Sequence, residues 1–210
     1  MTRPTLSNTD QNLLSSFEQI IQKIRLPDSQ ELLQRYSADA AFKNQVRFYK
    51  NDTMLSDQEA GLDENKTAIK HFRRLQNFFP DIKIACDQIS QITQKKISCN
   101  AFLSYPNTKG LFVHEDLDDS LIYQAEGEKH WMIWKPYSDD LNIARMARDK
   151  ASGILEQWIE TSKPFTFSLK TGQFLLLKAG HPHTVETGPL FSLHFTFLIF
   201  SNEYDKNSRG

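Results

Sequence analysis

After Lys95 the apolar residues stop recurring every third or fourth position. They gather instead into short runs rich in β-branched and aromatic side chains, separated by turn residues. These runs predict strands over 96–103, 111–114, 120–125, 129–135, 165–169, 174–178, 183–187 and 190–201. The breaks between them carry turn chemistry, as in Pro106-Asn107-Thr108-Lys109-Gly110, Glu126-Gly127-Glu128, Lys170-Thr171-Gly172 and Thr187-Gly188-Pro189. Eight short strands with tight turns predict a mainly β fold with flanking helices, built on a double-sheet jelly roll.

The first 95 residues read differently. Leu13, Leu14, Phe17, Ile20, Ile21 and Ile24 recur at helical spacing, and Leu32 and Leu33 resume it after Leu26-Pro27-Asp28, which predicts two helices joined at the proline. The stretch 51–66 is rich in Asp, Glu, Gln and Asn and reads as a mobile loop. Phe72, Leu75 and Phe78 predict a helix over 67–79 that Pro80 closes, with a further short helix over 84–92. Within the β half, Leu141, Ile143, Met146, Ile154, Leu155 and Trp158 mark a helical insertion over 138–162. The expected organisation is a helical region (1–95) packing on the barrel, a jelly-roll core (96–203) with a helical insertion over 138–162, and a tail (204–210).

Charge and cysteine content narrow the function. Lys and Arg number 25 against 26 Asp and Glu, so no basic footprint for a nucleic-acid backbone exists in the mean charge. Cys86 and Cys99 lie in apolar surroundings without a second pair, which reads as reduced core thiols. No window is apolar over the length that crosses a bilayer. The expectation is a cytoplasmic protein, monomer or homodimer, without nucleic-acid or membrane partners.

The chemistry centres on His114-Glu115-Asp116 and, further on, Gly180-His181-Pro182-His183. Two imidazoles and one carboxylate, His114, Asp116 and His183, are the donor set of a non-haem Fe(II) oxygenase site. If 111–114 continues as a strand, residues two apart point the same way and His114 and Asp116 reach one metal. His181 is a second candidate ligand beside His183, with a loop histidine as the plainer reading; His71 and His130 read as structural or surface residues. Lys129 lies in an expected hairpin. It is either a solvated hairpin lysine or a cation aimed into the barrel, where a dicarboxylate would need one. In the last strand Ser192, His194 and Thr196 alternate with Leu193, Phe195 and Phe197, so the polar set faces either solvent at an edge or the barrel interior. The run Asp116-Leu117-Asp118-Asp119 is either a solvated turn or a negative rim that attracts a cationic substrate group.

In order and spacing, these residues resemble the JmjC-type and cupin-like Fe(II)- and 2-oxoglutarate-dependent oxygenases, among them hydroxylases of ribosomal proteins and the asparaginyl hydroxylase of hypoxia-inducible factor. The likeness runs over about 98–200. It rests on Asn100-Ala101-Phe102-Leu103, Gly110, the His114-x-Asp116 pair, the hairpin from Gln124 through Gly127 and Lys129 to Trp131, and Gly180 to His183. The resemblance implies that His114, Asp116 and His183 bind Fe(II), and that Lys129 holds the distal carboxylate of 2-oxoglutarate with Asn100 nearby. It implies dioxygen as the other co-substrate and hydroxylation of an amino-acid side chain in a protein or peptide, with succinate as co-product. Related halogenases lack the carboxylate supplied here by Asp116, which favours oxygenation. The sequence departs from the family where Phe102 stands in place of an aromatic hydroxyl, Gly172-Gln173 replaces Gly-Asp, and Lys178 replaces a strand-ending proline. The same chemistry on a free or carrier-bound amino acid is the second reading, and a non-catalytic metal-binding cupin module is the third.

Overall fold

The computed structural model describes residues 6–50, 53–56, 68–138 and 153–201. Three helices open the chain: α1 (Asn8–Ile21), α2 (Ser29–Ala38) and the single turn α3 (Ala40–Lys43). Each starts where a short polar side chain accepts an N–H that the helix start leaves without a partner: Ser7 from Asp10, Asp28 from Glu31, Asp39 from Phe42. The break between α1 and α2 spans Pro27, as the spacing predicts.

The next stretch departs from the expectation. Instead of a helix over 67–79, the chain forms strand β3 (Ile69–Phe72) and a 3-10 turn (Leu75–Asn77). Strand β3 pairs with β1 (Val46–Lys50) on one side and β4 (Ile97–Ser104) on the other, so sheet ladders satisfy the backbone that a helix would have satisfied internally. Arg74, left-handed at φ 54°, turns the chain between the two elements. Pro80 does not close a helix but opens one, α4 (Pro80–Thr93), at a position where its missing N–H would have had no helical partner. The region 1–95 therefore contributes strands as well as helices to the fold. Of the stretch read as a mobile loop, Thr53–Met54 forms the short strand β2 against β1, and 51–52 and 57–66 lie outside the described residues.

In the β half, β5 (Asp119–Glu126), β6 (Glu128–Ile133), β7 (Phe165–Lys170), β8 (Phe174–Leu177), β9 (His183–Thr187) and β10 (Ser192–Ile199) fall within two residues of their predicted bounds. The expected strand over 111–114 is not regular; only isolated bridges join this segment to β9. Helix α5 (Ile154–Thr161) is the described part of the insertion, whose residues 139–152 lie outside the described set.

Among the described residues the strands form two sheets, one ordered β2-β1-β3-β4-β10-β5-β8 and one ordered β7-β6-β9. They face each other as the two layers of a jelly roll. Strand β10 is thus no edge. It pairs along its length with β4 and β5, matching Thr196 to Asn100 and to Ile122. Its Leu193, Phe195 and Phe197 are fully buried in the large apolar core shared with α1 and α4. The Phe17 ring of α1 meets Phe197 and Phe174 edge-on at 5.2 and 5.5 Å between centroids. A second, smaller apolar cluster fills part of the space between the sheets, with Ile122, Trp131, Ile133, Leu169 and Leu177.

Candidate active site

The segment carrying His114 crosses back against β9. Gly110 N–H donates to Val185 O (2.8 Å), Thr187 N–H to Thr108 O (3.0 Å), and His114 and His183 exchange both backbone bonds, at 3.1 and 2.8 Å. Gly110 is required by this approach, since a Cβ there would sit 2.2 Å from Val185 O. Strand pleat does not account for the meeting of His114 with Asp116, because Asp116 lies beyond the bridge in irregular chain. What brings Asp116 in is its own carbonyl, which accepts Gly180 N–H (2.8 Å) from the turn just before His183. Gly180 adopts φ +74°, which glycine does at no steric cost.

These two cross-links place one ligand atom from each of His114, Asp116 and His183 within 4.8 Å of one another. The imidazole centroids of His114 and His183 are 4.4 Å apart, and Asp116 Oδ2 lies 3.9 Å from His183 Nε2. Each imidazole is oriented by a backbone carbonyl: His114 Nδ1 lies 2.8 Å from Phe112 O and His183 Nδ1 lies 3.0 Å from His181 O. A carbonyl can only accept, so the proton sits on Nδ1 and each Nε2 keeps its lone pair for a metal. Burial draws the His183 pKa down to about 4, the neighbouring His114 adding to this, so the ring is neutral and competent as a ligand. Two imidazole nitrogens and a carboxylate fit a divalent transition metal with open positions. His181 is not in this cluster. It contributes its carbonyl, not its ring, and that function has no signal in the sequence.

Lys129 is the other decisive side chain. Along β6, Lys129, Trp131 and Ile133 share the interior face, and Ile133 is registered opposite His183. Lys129 is buried, and among the described residues its ammonium has no carboxylate partner; burial alone draws its pKa down to about 7. The solvated-hairpin reading is thereby excluded. Trp131 continues the interior file, its ring 6.0 Å from His183 and 6.0 Å from His194, with Nε1 buried and unpartnered.

The polar set of β10 is inside, where the alternation allowed it to be. His194 and Thr196 face the interior, buried, and His194 stacks on Phe102 at 5.0 Å and 17°. Phe102 in turn stacks on His71 at 4.1 Å and 10°, and both His71 ring nitrogens are buried without a hydrogen-bond partner among the described residues. Burial lowers the His71 pKa to about 3, and Arg73 and Arg47 push it the same way. Ser192 instead fixes the backbone: its Oγ accepts Gln124 Nε2 (2.7 Å), and the same amide donates to Glu126 O and Leu193 O across the bulge between β5 and β10. Asn100 accepts Arg74 N–H on Oδ1 (3.0 Å), fixing the left-handed turn after β3. His130 is at the surface, bonded to Ser168 Oγ.

The acidic run resolves into structural contacts. Asp118 Oδ1 accepts Ser201 N–H, Asp119 Oδ1 accepts Ala179 N–H, and Asp119 Oδ2 accepts Lys178 Nζ at 2.7 Å. Lys178 also reaches Asp10 Oδ1 at 3.1 Å, tying α1 to the barrel. Burial opposes the lysine's charge there, and the two carboxylates outweigh it and raise its pKa.

Comparison with known proteins agrees with this geometry. The chain is 27% identical over 128 residues to the bifunctional lysine-specific demethylase and histidyl-hydroxylase NO66 of Brugia malayi, covering 60% of this chain and 18% of the relative. It is 27% identical over 129 residues to ribosomal oxygenase 1 of Danio rerio, covering 59% and 22%. The chain thus spans less than a quarter of the length of these relatives. Among solved structures it resembles YcfD, a ribosomal oxygenase from Escherichia coli in complex with cobalt and succinic acid, with a TM-score of 0.55 at 13% identity over 83% of this chain and 44% of that one. A second YcfD structure, with cobalt and 2-oxoglutarate, gives 0.52 over 75% and 40%. A JmjC domain model matches residues 71–206, a span that includes the triad, Lys129 and the interior face of β10, and the chain therefore belongs to the JmjC domain family.

Proposed function

We propose that this chain is an Fe(II)- and 2-oxoglutarate-dependent dioxygenase that hydroxylates an amino-acid side chain of a protein or peptide. The observation that carries the reading is that one barrel holds both a His114, Asp116 and His183 donor set within 4.8 Å, half-open to solvent at His114 and Asp116, and a buried Lys129 with no carboxylate partner among the described residues. A facial set of three protein donors leaves positions for a bidentate 2-oxo acid and for dioxygen. When bound, iron would supply the coupling of dioxygen reduction and 2-oxo acid decarboxylation, giving succinate and carbon dioxide, to insertion of oxygen into a C–H bond.

The rest is the protein's work. His114 Nε2, His183 Nε2 and an Asp116 oxygen would hold the metal, with the Phe112 and His181 carbonyls keeping both rings in register. Lys129 would take the distal carboxylate of the 2-oxo acid as a charge-assisted pair, stronger here than in water because the lysine is buried away from bulk solvent. Trp131, Ile122, Leu169 and Leu177 would exclude solvent from that interior. Relatives named as a histidyl-hydroxylase and as ribosomal oxygenases support a protein side chain as the substrate.

The test is anaerobic loading with Fe(II) followed by succinate formation from 2-oxoglutarate in air. Wild type is expected to turn over slowly without substrate, His114→Ala not at all, and Lys129→Ala only at a much higher 2-oxoglutarate concentration. Iron-loaded wild type that neither binds nor decarboxylates 2-oxoglutarate would point to a metal-binding module instead.

A further inference from the structure

Lys129 and His194 face one another across the barrel, and among the described residues no carboxylate answers the lysine. On its own sheet, β7 sets Leu169 and β9 sets Thr187 opposite it. From the other sheet the titratable group that faces it is His194 of β10, close enough that the lysine's charge, added to burial, helps keep the imidazole neutral. His71 stands behind, on the far side of the Phe102 ring. The Phe102 ring has no hydroxyl to offer a ligand. His194 is registered directly opposite Phe102 and stacked on it, and its Nδ1 is buried without a partner. The lysine Nζ and a neutral imidazole, both enclosed and both without an acceptor among the described residues, form a pair of donors left unsatisfied until an anion enters.

Resting on the function proposed above, we infer that Lys129 and His194 together clamp the distal carboxylate of the dicarboxylate, His194 donating the hydrogen bond that Phe102 lacks, and that capture carries one proton from solvent onto Lys129 Nζ. Without ligand, burial holds the Lys129 pKa near 7, so the amine is mostly neutral at pH 8. A carboxylate beside it restores the ordinary preference for ammonium. The proton comes from water or buffer, forms an N–H bond on Nζ, and stays as long as the carboxylate does. His194 keeps its single proton throughout. Above pH 7, affinity for 2-oxoglutarate should fall about tenfold per pH unit.

The experiment is titration calorimetry of the full chain, loaded with Mn(II) under nitrogen, with 2-oxoglutarate at pH 8 in HEPES and in Tris, whose ionisation heats differ. The expected difference in observed heat corresponds to uptake of most of one proton. Pyruvate, which lacks the distal carboxylate, should bind with no uptake. Lys129→Arg, charged at every pH, should abolish the uptake and flatten the pH dependence. His194→Phe keeps the ring stack, and should retain the uptake while narrowing the preference for 2-oxoglutarate over pyruvate about tenfold. Wild-type binding with no buffer dependence would overturn the proton linkage, and an unchanged preference in His194→Phe would overturn the clamp. Absence of any 2-oxoglutarate binding would instead sink the dioxygenase reading. Circular dichroism and pyruvate binding show whether each variant is folded.

Discussion

Strand β10 shows two kinds of burial on one backbone. Toward the helices it turns Leu193, Phe195 and Phe197, fully buried among Phe17, Ile82 and Ile89; toward the second sheet it turns His194 and Thr196, nearly as buried but among polar and aromatic groups. The first face has its contacts complete. Among the described residues the second holds an imidazole nitrogen with no partner, with an unpartnered indole N–H and the carboxylate-free Lys129 side chain near it. Such groups oppose folding unless something else satisfies them. The contrast sets a satisfied apolar face on one side of the sheet against an unsatisfied polar one on the other, the face to which the proposed function assigns the ligand.

That division can be broken in either direction. The largest effect is expected from His114→Ala, which should cut succinate formation at least about 10³-fold by removing a metal donor, while the denaturation midpoint stays near wild type. Unfolding of this variant would show that the site also bears fold stability. Phe195→Ala should do the converse, lowering stability by about 3–5 kcal/mol in urea titrations without first altering 2-oxoglutarate affinity. Next in size is Lys129. Its folded pKa of about 7 lies below its ordinary 10.5, so between those values the unfolded chain binds a proton that the folded chain does not. The penalty is therefore complete below pH 7 and is relieved as pH rises through that window. The ligand-free protein should gain up to about 1.4 kcal/mol per pH unit there. Lys129→Met should be more stable than wild type at pH 7 and should flatten the profile; a profile unaltered by the substitution would refute the assignment. The smallest change, about 1 kcal/mol after solvent screening, is expected for Lys178→Met, which loses the pairs with Asp10 and Asp119. Thermal unfolding at low and high salt would show it.

The parts of the fold legible in the sequence are those whose signal is local. The strands from β4 onward are bounded by turn residues, and α1 and α2 by capping side chains and Pro27, so pattern and structure agree. The stretch 67–79 is misleading because Phe72, Leu75 and Phe78 satisfy helical spacing by coincidence, while the deciding contacts come from β1 and β4, distant in sequence. Pro80 is ambiguous because a proline ends one helix and begins another equally well. In the site, spacing and family likeness single out the three donors and Lys129. The carbonyls of Phe112 and His181 and the Gly180 N–H, which hold those donors in place, are backbone groups that nearly every residue possesses, and only the fold distinguishes them.

The docking of α1 has a practical consequence for dissecting the molecule. The family match begins at residue 71, yet Phe17, Leu32 and Phe42 are fully buried in the core that backs β10, and Asp10 meets the lysine that precedes the His183 turn. A fragment cut at the boundary of the match would keep α4 but lose Phe17 from the edges of Phe174 and Phe197, leaving part of that core open to water. The stretch that similarity recognises and the stretch that closes the core are different lengths of the same chain.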